Sequence, residues 1–283
     1  MNINELNYST VRILADMGTF KSTGTGFIIR FVEQFKEGKY LNVPCIVTNK
    51  HVIDGAKEIT VRFHAGDGNG NRKSQCEFTV PTSLFFFHPN ANVDLCAMPV
   101  AHLHLMAEED DIMPLYYGVS MKQIPNSVEE LNKYLPSEDV TIVGYPNGLW
   151  DEVNNFPISR KGTLATAPAV LYKGESQFLI DCAIYPGSSG SPVFSVKQLF
   201  NKETFQPFLS VKLLGVVFAT YQHTVQGDFL IKDIPTSIDT LIPNHLGLVL
   251  NSLRIHELNE VISEHYADLK PEEIFDSLSI KKK

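Results

Sequence analysis

The sequence predicts an all-β fold followed by a C-terminal helix. Short apolar runs separated by turn-forming residues dominate the chain, and this pattern is typical of strands. Near the end, Ser252 provides a cap for a final helix. Residues at helical spacing give that helix one largely apolar face: Leu258, Val261, Ile262, His265 and Leu269. An apolar content of 43% is ordinary for a globular protein.

The predicted strands fall into two groups with a less regular stretch between them. The first group comprises residues 26–33, 40–48, 59–64, 78–87 and 95–100. Residues 101–138 connect the groups, and Ser127 with Glu130 fits a helix capping box there. The second group comprises residues 140–144, 160–166, 177–183, 192–196, 208–220 and 246–250. Residues 221–244 form an extra segment inside this second group.

Residues 181–194 hold the most informative motif, a turn of Pro, Gly and Ser between two apolar strands. A serine on such a turn, Ser189, has an exposed hydroxyl. Gly187, two residues earlier, adopts backbone angles that other residues resist. The backbone N–H groups of Gly187 and Ser189 then point at one spot, where they would stabilise a developing oxyanion. The turn therefore combines a candidate nucleophile with half of an oxyanion hole.

A serine nucleophile needs a base and a group that orients the base. An apolar run over residues 43–48 leads to His51, and Asp94 stands at the start of another apolar strand. The chain order is His, Asp, Ser, as in a known Ser-His-Asp triad. Asp54 is an alternative acid, but it lies on the same turn as the histidine and fits poorly.

Seven motifs, spread in order over most of the chain, resemble those of a chymotrypsin-fold serine protease, and most closely the protease domain of the HtrA/Deg branch. They lie at residues 24–29, 48–52, 93–97, 143–148, 181–194, 214–217 and 247–250. The resemblance implies two six-stranded antiparallel β-barrels with a C-terminal helix. It places the first barrel in 1–104, a bridge in 105–138, the second barrel in 139–250, and the helix and tail in 251–283, together forming one trypsin-like protease unit.

The resemblance also implies a reaction, the hydrolysis of peptide bonds in a protein or peptide substrate through an acyl-enzyme. Ser189 would attack the scissile carbonyl, His51 would take and return the proton, and Asp94 would hold the imidazole. Ser191 departs from the family, which usually has glycine there. An alternative is a catalytically silent, protease-like module that binds a peptide without cutting it.

In this family the residue six positions before the nucleophile lies at the floor of the specificity pocket. That residue is Ala183, with Ile184 beside it, so no acid is present to pair with a basic side chain. The resemblance therefore implies cleavage after small or medium apolar residues. Val216, Val217 and Phe218 are expected to pair with the extended substrate as an added strand.

Charge and cysteine content bear on partners and compartment. A net charge of −8 argues against nucleic acid as a partner. No stretch approaches the ~20 apolar residues that span a bilayer. Three of the four cysteines sit in apolar runs and the first residues lack a signal peptide, so we expect free thiols in the cytoplasm. No cofactor is expected and no metal either, since two histidines such as His102 and His104 rarely make a metal site.

Regulation is expected from the same reasoning. A folded protease that is always active in the cytoplasm is a hazard, so we expect an activating protein partner. The extra segment 221–244 and the acidic stretch 108–111 are the candidate contacts. No PDZ-like domain is expected after the protease unit.

Overall fold

The computed structural model describes residues 3–36, 39–67, 71–108, 113–231 and 234–267, with the backbone alone for 35–36, 39–40, 222–231 and 234–243. Within these residues the strands form two sheets, one in each half of the chain. The predicted all-β architecture with a C-terminal helix is confirmed.

The first sheet contains nine described strands. They are β1 (Thr10–Asp16), β2 (Lys21–Lys36), β3 (Lys39–Thr48), β4 (Glu58–Gly66), β5 (Arg72–Pro81), β6 (Phe86–Phe87), β7 (Cys96–Pro99), β8 (Met113–Leu115) and β9 (Val119–Ser120). The main path runs β5-β4-β1-β2-β3-β7-β6, with β8 paired to β4 and β9 paired to β2.

This first sheet departs from the predicted six antiparallel strands, because β9 runs parallel to β2. The pairing of β1 with β2 ends at Phe27, which leaves the next part of that edge of β2 without a partner from β1. Backbone groups buried away from water need hydrogen-bond partners. Val119 and Ser120 pair there with Ile29 and Arg30.

The second sheet is the predicted six-stranded antiparallel barrel. It consists of β10 (Asp139–Gly144), β11 (Ile158–Leu164), β12 (Gln177–Asp181), β13 (Pro192–Phe200), β14 (Pro207–Ile231) and β15 (Ile234–Asn251). These strands close in the order β10-β11-β12-β15-β14-β13. The extra segment 221–244 continues β14 and β15 beyond the barrel as a two-stranded ribbon, paired from Gln222 opposite Pro243 to Ile231 opposite Ile234.

In the described ranges, four α-helices accompany the sheets: α1 (Lys50–Ile53), α2 (Ala101–Glu108), α3 (Val128–Leu131) and α4 (Leu253–Tyr266). Ser127 caps α3, since its Oγ accepts the N–H of Glu130 at 3.3 Å. Ser252 precedes α4, but its side chain makes no capping bond, and Asn251 Oδ1 accepts the N–H of Leu253 instead. Short 3₁₀ turns cover Ile3–Tyr8, Thr82–Leu84, Met121–Gln123 and Pro146–Gly148.

The helix α4 joins the two sheets. Its Leu258 and Ile262 are fully buried, as the helical spacing predicts, whereas Leu269 lies outside the described residues. They share one apolar cluster with Phe27 of β2 and Phe194 of β13. Because each sheet also has a core cluster of its own, this third cluster fixes how the two halves of the protein meet.

His102 and His104 lie on α2. Residues 109–111 of the acidic stretch lie outside the described residues. No helix in the described ranges combines the length and apolar character needed to cross a membrane.

A buried histidine on β4 makes the stability of the fold depend on pH. His64 is 3% exposed, and its ring lies 4.5 Å from that of Tyr8 and 5.4 Å from that of Phe156, centroid to centroid. Burial, helped by the charge of Arg72, lowers the pKa of His64 from 6.5 to about 4.

We expect the free energy of unfolding to fall as the pH is lowered from 6.5 to about 4. In that window the unfolded chain binds a proton at His64 and the folded chain does not. Urea unfolding at a series of pH values measures this. The variant His64→Phe keeps an aromatic ring and should show a weaker pH dependence in the window. An identical dependence in both proteins would contradict the assignment.

Candidate active site

His51 is carried by the single helical turn α1, which begins just after β3 ends at Thr48. Val52 and Ile53 are buried and anchor the turn in the core of the first sheet. The side chain of His51 is 49% exposed. The turn therefore holds the imidazole at the surface while its neighbours fix the backbone.

Asp94 lies two residues before β7 and faces His51. Its Oδ2 is 2.5 Å from His51 Nδ1, and its Oδ1 accepts the backbone N–H of His51 at 3.1 Å. Asn49 Nδ2 donates to the Asp94 carbonyl at 2.7 Å. The structure thus brings together the predicted base and acid, whereas the alternative acid Asp54 is exposed at the end of α1.

The environment of Asp94 favours its ionised form. Burial alone raises its pKa, but the hydrogen bonds and charge of His51, with a backbone bond from Lys50, outweigh burial and bring the pKa below its ordinary value. An ionised Asp94 accepts the proton on His51 Nδ1. This leaves His51 Nε2 with its lone pair, as a general base requires.

Lys50 fixes the loop that carries Asp94, a role that sequence reasoning missed. Its Nζ lies within hydrogen-bond distance of three carbonyl oxygens, those of His88, Asn90 and Ala91, at 3.2–3.4 Å. The partners are backbone atoms about forty residues away, so the sequence carries no signal for them.

The serine loop, defined here as residues 182–191, connects β12 with β13. The N–H of Ser188 donates to Tyr185, that of Gly190 to Val217, and that of Ser191 to Ser188, at 2.8–3.0 Å. Among the described residues, the N–H groups of Gly187 and Ser189 have no acceptor. These are the two predicted oxyanion donors. They are available to a ligand because the loop does not use them itself.

A neighbouring turn sets the direction of the Gly187 N–H. The Pro186 carbonyl accepts the N–H of Asn147 at 2.6 Å. In a trans peptide the carbonyl and the following N–H point in opposite directions, so the Gly187 N–H points away from Asn147. Gly187 has φ +85°, and a Cβ on it would lie 2.5 Å from the Tyr145 carbonyl oxygen. The position therefore requires glycine.

Thr25 of β2 ties the serine loop to the first sheet. Its N–H donates to the Ser189 carbonyl at 2.9 Å, and its hydroxyl donates to the Gly187 carbonyl at 2.9 Å. The same hydroxyl accepts the N–H of Tyr145 at 3.1 Å, and the Thr25 carbonyl accepts from the Thr48 hydroxyl at 2.8 Å. Thr25, a buried residue, thus connects three parts of the protein: the strand β3 that precedes His51, the serine loop and the end of β10.

The unusual Ser191 also meets Thr25. The two hydroxyl oxygens are 3.2 Å apart, and Ser191 fills space opposite Gly144, where a Cβ would come within 3 Å of its Oγ. The serine is accommodated because residue 144 has no side chain.

Ser189 is partly exposed, and within the described residues no hydrogen bond joins its Oγ to His51. In free enzymes such bonds are often long and tighten only when substrate binds.

The described part of the chain contains no group of three or more metal-ligating side chains.

The predicted substrate-binding residues differ in exposure. Val216 and Val217 are fully buried, and the backbone of Val217 pairs with Gly190 and Ser191, so the side chains of both valines belong to the core. Phe218 is partly buried. It falls at a register shift, where β14 pairs Val217 and then Ala219 with β15. Of the three residues of β14 that were expected to contact the substrate, Phe218 therefore remains the candidate.

Among the described residues, the side of β14 that faces β13 has no further strand partner after Val217. On that side β13 begins at Pro192, opposite Val216, and Ser191 takes the next position.

Ala183 and Ile184, the two residues expected at the pocket floor, also differ in exposure. Ile184 is 3% exposed and packs in the core of the second barrel, against Gly247, where a Cβ would lie 2.7 Å from Ile184 Cγ1. Ala183 is intermediate in exposure, and its carbonyl accepts from Arg160. Ala183 therefore remains a candidate for the pocket floor, whereas the side chain of Ile184 belongs to the core of the barrel.

Comparison with known proteins supports the fold. A family model for a trypsin-like peptidase domain matches residues 24–199. None of the curated proteins matches the sequence.

Several solved structures resemble this chain. One is a thermostable serine protease, AL20, from an extremophilic microorganism: 13% identity over 90% of this chain and 97% of that one, with a TM-score of 0.44. Another is the scabies mite inactivated protease paralogue S-I1: 12% identity over 92% and 98%, with a TM-score of 0.49. A third is the protease Anisep from Arthrobacter nicotinovorans: 12% identity over 89% and 94%, with a TM-score of 0.45. Likenesses of this size do not bear on activity.

The Thr25 hydroxyl gives a direct test of the connection between the sheets. Thr25→Val keeps the shape but leaves the Gly187 carbonyl and the Tyr145 N–H without their partner. We expect it to lower the free energy of unfolding by about 1–3 kcal/mol. Thr25→Ser keeps the hydroxyl and should cost clearly less. Urea unfolding of both variants measures the difference, and equal stabilities would show that the hydroxyl does not hold the loop.

Proposed function

The chain belongs to the family of trypsin-like peptidase domains and is a serine endopeptidase, and from this premise we propose that it cuts protein substrates with Ser189, His51 and Asp94. The observation that carries the proposal is the 2.5 Å approach of Asp94 Oδ2 to His51 Nδ1. It favours the tautomer in which Nε2 is the free base.

The proposed reaction has two halves. Ser189 Oγ attacks the scissile carbonyl carbon while His51 Nε2 takes the hydroxyl proton, and the carbonyl oxygen becomes an oxyanion. The N–H groups of Gly187 and Ser189 stabilise that oxyanion. The C–N bond then breaks, and the amine leaves with the proton from His51. A water molecule attacks the acyl-enzyme by the same route, giving the carboxylic acid and restoring Ser189.

The substrate is proposed to bind as an extended strand along the open edge of β14 at Phe218. The side chain before the scissile bond would lie near Ala183. Neither Ala183 nor its neighbour Ile184 carries a charge, so a small or medium apolar side chain suits the pocket best.

Resemblance of the motifs to the HtrA/Deg branch supports a protease whose activity depends on the arrangement of its loops. We place the protein in the cytoplasm, a proposal supported by its four cysteines, all of which are free thiols. An activating protein partner is proposed for the same reason, because the compartment holds many protein substrates. The ribbon of residues 222–231 and 234–243 is the candidate contact for that partner.

Labelling with a fluorophosphonate probe tests the triad. We expect the wild type to react, and Ser189→Ala and His51→Ala to abolish the reaction, because the probe needs an activated serine. Ser74→Ala, which removes an exposed serine on β5, serves as the matched control and should label normally.

Labelling that survived Ser189→Ala would contradict the assigned nucleophile. If the wild type did not label, the experiment would be repeated with cell extract. Labelling gained there would support regulation by a partner. Its absence in both conditions would favour the peptide-binding module.

Cleavage of a peptide series tests the specificity. The peptides differ only in the residue before the scissile bond: Ala, Val, Leu, Asp or Arg. We expect kcat/KM to be highest for the first three, since a charged side chain would lose its hydration without gaining a partner. The Ser189→Ala variant gives the background rate. Efficient cleavage after Arg with negligible cleavage after Ala, Val or Leu would rule the pocket assignment out.

A further inference from the structure

Arg160 of β11 reaches beneath the serine loop. Its Nη2 donates to Ser188 Oγ at 3.1 Å, and its Nη1 donates to the Ala183 carbonyl. Ser188 is fully buried, so the guanidinium lies on the inner side of the loop. One side chain therefore bonds to the loop at two points five residues apart.

The charge of Arg160 is not neutralised by a carboxylate. Within the described part of the chain it forms no ion pair, and its Nε is buried without a partner. Burial lowers the pKa of its guanidinium from the ordinary value. Its neighbour Lys161 differs, since its side chain is 81% exposed and lies 3.7 Å from Asp139.

A guanidinium placed in this way, without a carboxylate partner, does not favour the stability of the fold. Moving a cation out of water costs free energy that a carboxylate partner usually offsets. An apolar side chain of similar length would avoid this cost. The position of the Arg160 donors suggests what the charge achieves instead.

One of the two bonded positions, Ser188, lies between the two oxyanion donors, Gly187 and Ser189. Among the described residues, the N–H groups of Gly187 and Ser189 have no acceptor. The N–H of Ser188 donates to the Tyr185 carbonyl at 3.0 Å, so the turn from 185 to 188 moves with Ser188. A group that fixes both Ala183 and Ser188 therefore fixes the orientation of the peptides on either side of Ser188.

We propose that Arg160 is a positioning residue that holds the serine loop in the shape in which the Gly187 and Ser189 N–H groups face one point. It touches neither substrate nor the reacting atoms and acts through Ser188 and Ala183. The inference rests on the proposed function for its effect on rate, but the shape of the loop can be measured without it.

The test compares Arg160→Met, which removes the charge and keeps the length, with Lys161→Met as the matched control on the same strand. The first readout is the second-order rate of fluorophosphonate labelling. The second is deuterium uptake by peptides that cover residues 183–191 and, separately, 192–200. Urea unfolding shows whether each variant is folded.

We expect Arg160→Met to slow labelling about a hundredfold, similar to the loss of one oxyanion donor. Deuterium uptake should rise in 183–191 and stay unchanged in 192–200, with cooperative unfolding retained. Arg160→Lys, which keeps the charge but replaces the two separate Nη groups with one nitrogen, should be intermediate. Lys161→Met should match the wild type in both readouts.

Unchanged labelling and unchanged uptake in a folded Arg160→Met variant would overturn the proposal. If the wild type labels neither alone nor with cell extract, the proposed function fails, and a rise in uptake confined to 183–191 still supports the positioning role. If Arg160→Met does not fold, Ser188→Ala decides. It removes one acceptor of Arg160, and uptake in 183–191 that equals the wild type would overturn the proposal.

Discussion

The hydrogen bonds of Thr25 are the interaction on which the rest of the site depends. Thr25 belongs to the first sheet, yet its N–H and hydroxyl hold two carbonyls of the serine loop in the second. Its hydroxyl donates once and accepts twice, the full capacity of that group. Because the residue is fully buried, each bond is made without competition from water. Since Thr48, at the end of the strand that precedes His51, donates to the Thr25 carbonyl, Thr25 connects that strand with the serine loop.

Close packing makes the serine loop depend on glycine. A Cβ on Gly190, at φ +86°, would come within 2 Å of the Thr25 carbonyl oxygen. A Cβ on Gly187 would meet the turn at Tyr145. These approaches bring the loop near enough for the Thr25 bonds to form. A side chain at either position would therefore push the two sheets apart as well as strain the turn.

The sequence allowed prediction of the parts whose signals are local. A strand followed by a histidine, an aspartate before a strand and a Gly-Ser turn predicted the pairing of His51 with Asp94. The strand β1 was missed, although Val11, Ile13 and Ala15 alternate inward as a half-buried strand should. Arg160 carried no signal, because its partners are a carbonyl and a hydroxyl 23 and 28 residues away. Val216 and Val217 were misjudged because an apolar run does not tell a cleft edge from a core.

The donors around the serine loop explain why its two oxyanion N–H groups stay unpaired. Every carbonyl from residue 185 to 189 accepts a hydrogen bond, either within the loop or from Asn147 and Thr25, and Ala183 accepts from Arg160. These carbonyls are therefore occupied by other donors, and among the described residues none of them accepts the N–H of Gly187 or Ser189. Leaving N–H groups unpaired costs free energy, and the hydrogen bonds to the surrounding donors offset that cost. Two N–H groups without an acceptor suit an anion, which is the charge that forms when a peptide carbonyl is attacked.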